Sequence, residues 1–225
     1  MSLKILQEDN GSKILIITPL FTGHKISGET KTTIKRNKIS YTWVSYMSEM
    51  KHAANVQKGL NSYRKKTGGI TPPYVMVLDR DIILSRHAID KMFDVIEKSD
   101  KNVGWVYCPF EYKGHINISF PAQEFDINKL LKGNYISSNS LYKTSMIDRV
   151  GGFVTETEMN RLSDWAMWLK CYKFGYIGKV CPQASFIAIS TKDDISAGSS
   201  NEYSTTRELV VERYIKPLMD QMKGS

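Results

Sequence analysis

Two carboxylates, Asp79 and Asp81, stand one residue apart after an apolar run, in the segment YVMVLDRDIILS of residues 74–85. Residues two apart in an extended segment point to the same side, so both carboxylates can face one ligand. Adjacent carboxylates repel each other unless they share a cation, and hard oxygen ligands suit Mg²⁺ or Mn²⁺. The pattern therefore predicts a divalent cation that also binds phosphate groups, while the alternative interpretation is a capped loop in which Arg80 neutralises the two acids.

Asp164 is a third acid in a position suited to chemistry, at the start of the segment DWAMWLKCYKF. The spacing of the apolar residues predicts a helix here, with Ser163 as its N-cap and Gly175 as its stop. An acid in the first helical turn is stabilised as an anion, so it can accept a proton near neutral pH. Acids are equally favoured at helix starts for stability alone, so position by itself leaves both roles open.

The elements that must hold these acids follow from the hydrophobic pattern. Apolar runs predict strands at residues 13–21, 41–46, 74–79 and 103–110. Periodic apolar residues predict a helix after Ser48, and a second helix capped by Ser85. Strands that alternate with helices of this length indicate a mostly parallel α/β sheet with helices on both faces. Ligands bind at the carboxyl ends of such strands, where Asp79 and Asp81 fall.

The second half of the chain is less regular. We expect a short helix at residues 125–131, a strand at 137–143 and a brief helix at 144–153, followed by the helix that begins near Ser163. YIGKV and ASFIAIS look like a closing pair of strands, and residues 205–222 form an amphipathic helix. These elements indicate one domain over residues 1–202, with residues 203–225 as a helix packed on it; residues 1–3 and 224–225 are set aside.

Composition narrows the class of protein. The chain has 225 residues, with 41% hydrophobic and 24% charged residues, which is typical of a globular domain. Its net charge of +8 is compatible with nucleic acid, an anionic membrane surface or a phosphate-bearing ligand. The basic residues are scattered, which disfavours nucleic acid. The three cysteines, Cys108, Cys171 and Cys181, indicate reduced thiols, and together with the lack of a leader or membrane span they predict a cytoplasmic location.

Four blocks of the sequence carry a resemblance to a known family. They are KILIITPLF, VMVLDRDIILSRHAIDKM, LLKGNYISSNSLYKTSMIDRVGGF and LSDWAMWLKCYKFGY, which together extend over roughly residues 13–180. In order and spacing they resemble the family 2 type of GT-A glycosyltransferases. The D-x-D pattern alone is weak support, whereas its combination with N-Y-I-x-x-x-S-L-Y, V-G-G-F and the D-W-x-x-W-L helix is more specific.

The resemblance implies a donor site for a UDP- or GDP-sugar. Asp79 and Asp81, with Arg80 between them, would bind Mn²⁺ or Mg²⁺ and the donor diphosphate. Thr18 and Pro19, at the end of the first strand of the family pattern, would lie against the nucleotide base.

The resemblance also implies an inverting transfer to a sugar or glycan acceptor, or to a lipid-linked one. Asp164 matches the family's catalytic base, which would take the proton of the attacking hydroxyl in a direct displacement. Asn139 and Trp165 would contact the donor or acceptor sugar. Helical spacing favours core packing for the neighbouring Trp168.

The sharper alternative to a purely cytoplasmic location is the inner membrane surface, contacted through the C-terminal helix.

The sequence departs from the family pattern at several places. Ser163 stands where a glutamate is expected, and YTWVSYMSEM and NVQKGL replace the D-D-x-S and R-N-x-G patterns. A late metal-binding histidine is also missing, with Asp193 or Asp194 as candidate substitutes, while His24, His52, His87 and His115 are interpreted as surface or loop residues. These departures favour one alternative function, a catalytically inactive nucleotide- or glycan-binding scaffold; a nucleic-acid-binding protein ranks last.

Overall fold

The computed structural model describes residues 1–191 and 200–223. Seven strands form the central sheet: β1 (Ser2–Gln7), β2 (Ile14–Phe21), β3 (Tyr41–Ser48), β4 (Tyr74–Val77), β6 (Val103–Tyr107), β9 (Leu141–Lys143) and β10 (Ile177–Val180). Their spatial order is β1-β3-β2-β4-β9-β6-β10. A second sheet consists of β5 (Ile82–Leu84), β7 (Phe110–Gly114), β8 (Ile118–Phe120) and β11 (Phe186–Ser190), in the order β5-β11-β7-β8.

The predicted α/β class with a large central sheet is confirmed. β2 lies parallel to both β3 and β4, and β6 lies parallel to β10. The pairs β1–β3, β4–β9 and β6–β9 are antiparallel, so the sheet is more mixed than a mostly parallel one. The antiparallel order arises because β9 returns between β4 and β6. β1 extends over Ser2–Gln7, so Ser2 and Leu3, which the sequence-based prediction left outside the fold, are the first two residues of an edge strand.

Helices cover both faces of the central sheet. They are α1 (Gly28–Ile34), α2 (His52–Lys66), α3 (Ala88–Glu97), α4 (Ile127–Leu130), α5 (Thr144–Arg149) and α6 (Ser163–Lys173), with a 3-10 helix at Thr157–Leu162. On one face, Trp105, Trp165 and Trp168 lie in a core with Leu60 of α2. On the other face, Ile16 and Met76 pack with Ile89 of α3. β2 is apolar on both faces because each face meets one of these two cores.

The prediction that Ser85 caps the helix that follows Asp81 is wrong, although the helix itself is present as α3. Residues 82–84 form β5, and Ser85 does not cap α3; its hydroxyl accepts a hydrogen bond from the backbone N–H of Ser185 at 3.0 Å. His87 precedes α3 with a left-handed φ of 58° and no side-chain cap. Three extended residues fit here because β11 supplies an antiparallel partner for β5.

The prediction that YIGKV and ASFIAIS pair with each other is also wrong. β10 pairs with β6 in the central sheet, whereas β11 lies between β5 and β7 in the second sheet. Each strand finds a longer-range partner, and local alternation in the sequence carries no information about that choice.

The C-terminal segment is helical, as predicted. It consists of α7 (Ser200–Val210), a π-helical stretch (Val211–Ile215) and α8 (Lys216–Lys223). Val210, Ile215 and Leu218 are buried in the core that contains the tryptophans, so the segment packs on the rest of the protein. Within residues 1–191 and 200–223, no helix combines the length and apolar character needed to cross a bilayer.

Candidate active site

A cleft of about 480 Å³ lies at the carboxyl ends of β2 and β4, where the central sheet meets the second sheet. Pro19 of β2, Asp79 just after β4, Asn139 just before β9 and Asp164 of α6 line the cleft. The second sheet contributes an apolar wall that includes Tyr112 of β7, and Phe186, Ala188 and Ile189 of β11. The cleft therefore combines a floor of polar groups with an apolar side.

Asp79 is held at three atoms on the floor of the cleft. Its backbone N–H donates to Oδ1 of Asn139 at 2.8 Å, and its Oδ2 accepts from Nδ2 of the same residue at 2.9 Å. Its Oδ1 lies 2.6 Å from Nε2 of His52. Burial opposes ionisation, but the charge and hydrogen bond of His52, joined by Asn139, outweigh it and lower the pKa of Asp79. Asp79 is therefore an anion with a defined orientation.

His52 belongs to the cleft, so the interpretation of this histidine as an isolated surface or loop residue is wrong. It is the first residue of α2, and its backbone N–H donates to Oδ1 of Asn160 at 3.0 Å. Burial favours neutral imidazole, but Asp79, followed by Asp164 and Asp81, outweighs it and raises the pKa of His52. The sequence offered one signal: His52 follows the carboxyl end of β3, on the edge of the sheet that carries the acids.

The backbone that connects the two acids is also fixed. The carbonyl oxygen of Arg80 accepts from the N–H of Ser27 at 2.8 Å and from the hydroxyl of Thr30 at 2.9 Å. The carbonyl oxygen of Asp81 accepts from the N–H of Ile189 at 3.2 Å. The side chains of both acids line the cleft. Residues 79–81 are thus tied to neighbouring elements of the fold rather than forming a loose loop.

Asp164 lies in the first turn of α6, and its side chain lines the cleft. Its Oδ1 accepts a hydrogen bond from the N–H of Trp165 at 2.8 Å. Burial raises the pKa of Asp164 to about 6, and the bond from Trp165 and the attraction of His52 only partly oppose the increase. This carboxyl group is therefore poised to exchange a proton near neutral pH, the range suited to a general base.

Ser163 does not cap α6 as predicted. Leu162 occupies the N-cap position, and the hydroxyl of Ser163 donates to the carbonyl oxygen of Asn160 at 3.1 Å. Because the 3-10 helix at Thr157–Leu162 precedes it, the Ser163 hydroxyl bonds to a carbonyl oxygen three residues earlier and not to the first N–H groups of α6. Ser163, Asn160 and Arg161 all line the cleft, so this helix forms part of its wall.

The structure does not bring Thr18 or Trp165 into the cleft. Thr18 is fully buried, and its hydroxyl accepts from Nε1 of Trp43 at 3.0 Å. Trp165 is also fully buried, and its indole N–H donates to the carbonyl oxygen of Leu130 at 2.7 Å. Its ring belongs to the hydrophobic core, where it cannot stack on a sugar. The other predicted site residues line the cleft with the two acids: Pro19, Arg80, Asn139 and Asp164.

Trp168 is a core residue, as its helical spacing favoured. Its ring stacks on Trp105 at 4.8 Å and on Tyr142 at 5.5 Å between centroids, and its indole N–H donates to the carbonyl oxygen of Ile136 at 3.1 Å. The two tryptophans of α6 thus anchor the helix that carries Asp164.

The carboxylates of Asp79 and Asp81 are the groups of the cleft best suited to a hard divalent cation. Each oxygen of Asp79 that already accepts one hydrogen bond keeps a second lone pair for a ligand. Over residues 1–191 and 200–223, no group of three or more His, Cys, Asp or Glu side chains is arranged to hold a metal ion. Two carboxylates therefore fit a cation whose remaining ligands come from phosphate or water. Asp193 and Asp194 lie outside the described residues.

Comparison with known proteins identifies the fold. No family model matches the sequence, and no curated protein matches it either. S. aureus TarS superposes with a TM-score of 0.61 at 11% identity, over 88% of this chain and 39% of TarS. TarS 1–349 in complex with UDP-GlcNAc gives 0.60 at 12% identity, over 89% of this chain and 66% of that one.

A third similar structure is the mannosyltransferase PcManGT from Pyrobaculum calidifontis, solved in complex with GDP-Man and Mn²⁺. Its TM-score is 0.56 at 14% identity, over 92% of this chain and 64% of that one. The chain therefore has the fold found in these nucleotide-sugar-binding proteins, and it spans from 39% to 66% of the length of the three.

Proposed function

We propose that this protein is a glycosyltransferase that moves a sugar from a nucleoside-diphosphate donor to an acceptor hydroxyl, with inversion at the anomeric carbon. The observation that carries the proposal is the joint presence, in one cleft, of the Asp79–Asp81 pair and a buried carboxyl group, Asp164, with a pKa of about 6. A fold shared with proteins solved with UDP-GlcNAc and GDP-Man supports it.

Asp164 is the general base in this proposal. The acceptor oxygen attacks the anomeric carbon and forms the new glycosidic bond, while the bond from that carbon to the diphosphate oxygen breaks. The proton of the acceptor hydroxyl passes to Asp164, and the bonding electrons leave with the nucleoside diphosphate. A single displacement inverts the anomeric configuration. A pKa of about 6 leaves Asp164 mostly ionised at pH 7 and still basic enough to accept the proton.

Asp81 and Asp79 would hold the divalent cation, Mn²⁺ or Mg²⁺. When bound, the cation would supply positive charge to the diphosphate. The protein itself places cationic side chains on the cleft, among them Lys51, Arg80 and Arg161. These groups bind and orient an anionic donor, and the similar structures favour a UDP- or GDP-sugar.

The acceptor is a glycan or a lipid-linked molecule in this proposal. The wall formed by Ile82, Tyr112, Phe186 and Ile189 supports it, because apolar and aromatic side chains suit the apolar face of a sugar ring or an attached lipid. A lipid-linked acceptor would place the protein at the cytoplasmic surface of the membrane. Binding to vesicles that contain such a lipid, measured by co-sedimentation, tests that placement.

The experiment that tests the proposed function is a thermal-shift panel of UDP, GDP, CMP and dTDP, each with and without Mn²⁺. A nucleotide at about 100 times its dissociation constant stabilises the protein by roughly 2.7 kcal/mol, which gives a shift of several degrees. We expect a Mn²⁺-dependent shift for UDP or GDP that Asp81→Ala removes. A panel without any shift would reject the donor site and leave the inactive scaffold as the better description.

A further inference from the structure

A chain of hydrogen bonds runs along the wall and floor of the cleft and joins four segments of the protein. It begins at Oδ1 of Asn160 in the 3-10 helix, which accepts from the backbone N–H of His52 at 3.0 Å. It continues from Nε2 of His52 to Oδ1 of Asp79 at 2.6 Å. It ends at Asn139, just before β9, which binds both Oδ2 and the backbone N–H of Asp79.

This chain makes Asp79 different from an acid that merely caps a loop. Both of its carboxylate oxygens are engaged, and both partners come from distant parts of the sequence, 27 residues away for His52 and 60 for Asn139. A capping acid would instead accept from backbone N–H groups a few residues along its own loop. The bonds from His52 and Asn139 therefore fix the orientation of the Asp79 carboxylate, which lines the cleft.

The contacts that fix the backbone of residues 80 and 81 do not determine the direction of the Asp79 side chain. The carbonyl oxygens of Arg80 and Asp81 are held by residues of the α1 region and of β11. The carboxylate of Asp79 is held by His52 on one oxygen and by Asn139 on the other. Removing a group that hydrogen-bonds to a metal-ligating carboxylate commonly lowers metal affinity or activity by about 10–100-fold.

We propose that His52 is a positioning residue for donor binding. Its Nε2 holds Oδ1 of Asp79, so this carboxylate is already oriented before the nucleotide and its cation arrive. Preformed groups lose less conformational freedom on binding, which raises affinity without a new contact to the ligand. This inference rests on the proposed function, since it assigns a role within the same donor site.

Two substitutions separate this role from general structural support. His52→Ala removes the bond to Asp79, whereas His52→Gln places an amide N–H near the position of Nε2. We expect His52→Ala to weaken Mn²⁺–nucleotide binding, measured by calorimetry, by about 10–100-fold. His52→Gln should recover most of that loss. The control is His87→Gln, which removes the 2.8 Å His87–Asp90 pair away from the cleft and should bind nucleotide like the wild type.

A second measurement needs no donor. The amide proton of Asp79, bonded to Asn139, should exchange with solvent about tenfold faster in His52→Ala, because Asn139 alone then holds the side chain of Asp79. In His52→Gln it should exchange at the wild-type rate. If His52→Ala exchanges and binds like the wild type, or if His52→Gln behaves like His52→Ala, the positioning role is refuted. If the wild type binds no nucleotide, the proposed function fails, and amide exchange still decides whether His52 orders Asp79.

Discussion

Replacing Asp164 with asparagine should remove turnover and at the same time stabilise the protein. Burial raises the pKa of this carboxyl from 3.8 to about 6, so the folded state disfavours the anion relative to the unfolded state. Each pKa unit corresponds to about 1.36 kcal/mol, so the shift of about two units gives an upper limit near 3 kcal/mol. Partial solvation of the side chain at the cleft lowers the expected gain to roughly 1–3 kcal/mol.

The size of the stability gain from Asp164→Asn depends on pH. Below about pH 4, both states are largely protonated at Asp164, and the folded protein carries no penalty. As the pH rises from about 4 to 6, the unfolded chain ionises first, so the wild type loses stability; above about pH 6 the loss is complete. The amide introduced by Asp164→Asn keeps an oxygen that can accept from Trp165 but carries no charge, so the gain in stability should appear at pH 7.5 and fade near pH 4.

The assay combines two measurements on the same preparations. Denaturant unfolding at pH 7.5 and pH 4 gives the difference in unfolding free energy, and release of nucleoside diphosphate from the donor gives turnover. In the wild type, kcat/KM should fall about tenfold per pH unit below pH 6, as the base becomes protonated. Asp148→Asn is the control, because the Asp148 side chain is half exposed and pairs with Arg64 at the surface.

Two results would refute the reasoning separately. Full turnover in Asp164→Asn would show that another group accepts the proton. A variant that is less stable than the wild type at pH 7.5 would show that burial does not disfavour the Asp164 anion, whatever its catalytic role.

Three further predictions concern the core and the cation. Gly178→Ala should destabilise the protein by about 1–3 kcal/mol in denaturant unfolding, because the added Cβ would lie 2.6 Å from the ring of Trp105; unchanged stability would mean that the ring moves freely. Trp165→Phe should cost about 1–3 kcal/mol, since the carbonyl oxygen of Leu130 loses its donor, yet leave the KM for both substrates unchanged; a raised KM would place Trp165 in contact with a sugar. Removing divalent cations with EDTA should abolish the thermal shift that UDP or GDP produces, and a shift that survives chelation would assign diphosphate binding to the basic side chains alone.

Much of the fold was predictable because it follows from local pattern. The apolar run of residues 13–21 becomes β2, and the periodic stripe after Ser48 becomes α2. The same logic placed Asp79 and Asp81 at the carboxyl edge of the sheet, where they line the cleft. Strand partners were not predictable, as β10 and β11 show, because pairing depends on which distant strand offers a free edge.

Some residues of the candidate site were likewise predictable from the sequence, and others were not. The residue types and order of Asp79, Asp81, Asn139 and Asp164 were visible in the sequence, and all four line the cleft. The sequence places His52 after the carboxyl end of β3 but does not show its contact with Asp79, which lies 27 positions further along the chain. Burial was equally hidden for Trp165, whose ring could have faced either the cleft or the core.

The sequence by itself determined the α/β pattern, the apolar strands and the placement of two acids at a strand end, because these depend on the periodicity and propensity of neighbouring residues. Only the tertiary structure decided which groups surround each acid. That environment lowers the pKa of Asp79 through His52 and raises that of Asp164 through burial, so two residues of the same type acquire opposite proton affinities. Desolvation and charge contacts are properties of the folded environment, and the identity of a residue does not contain them.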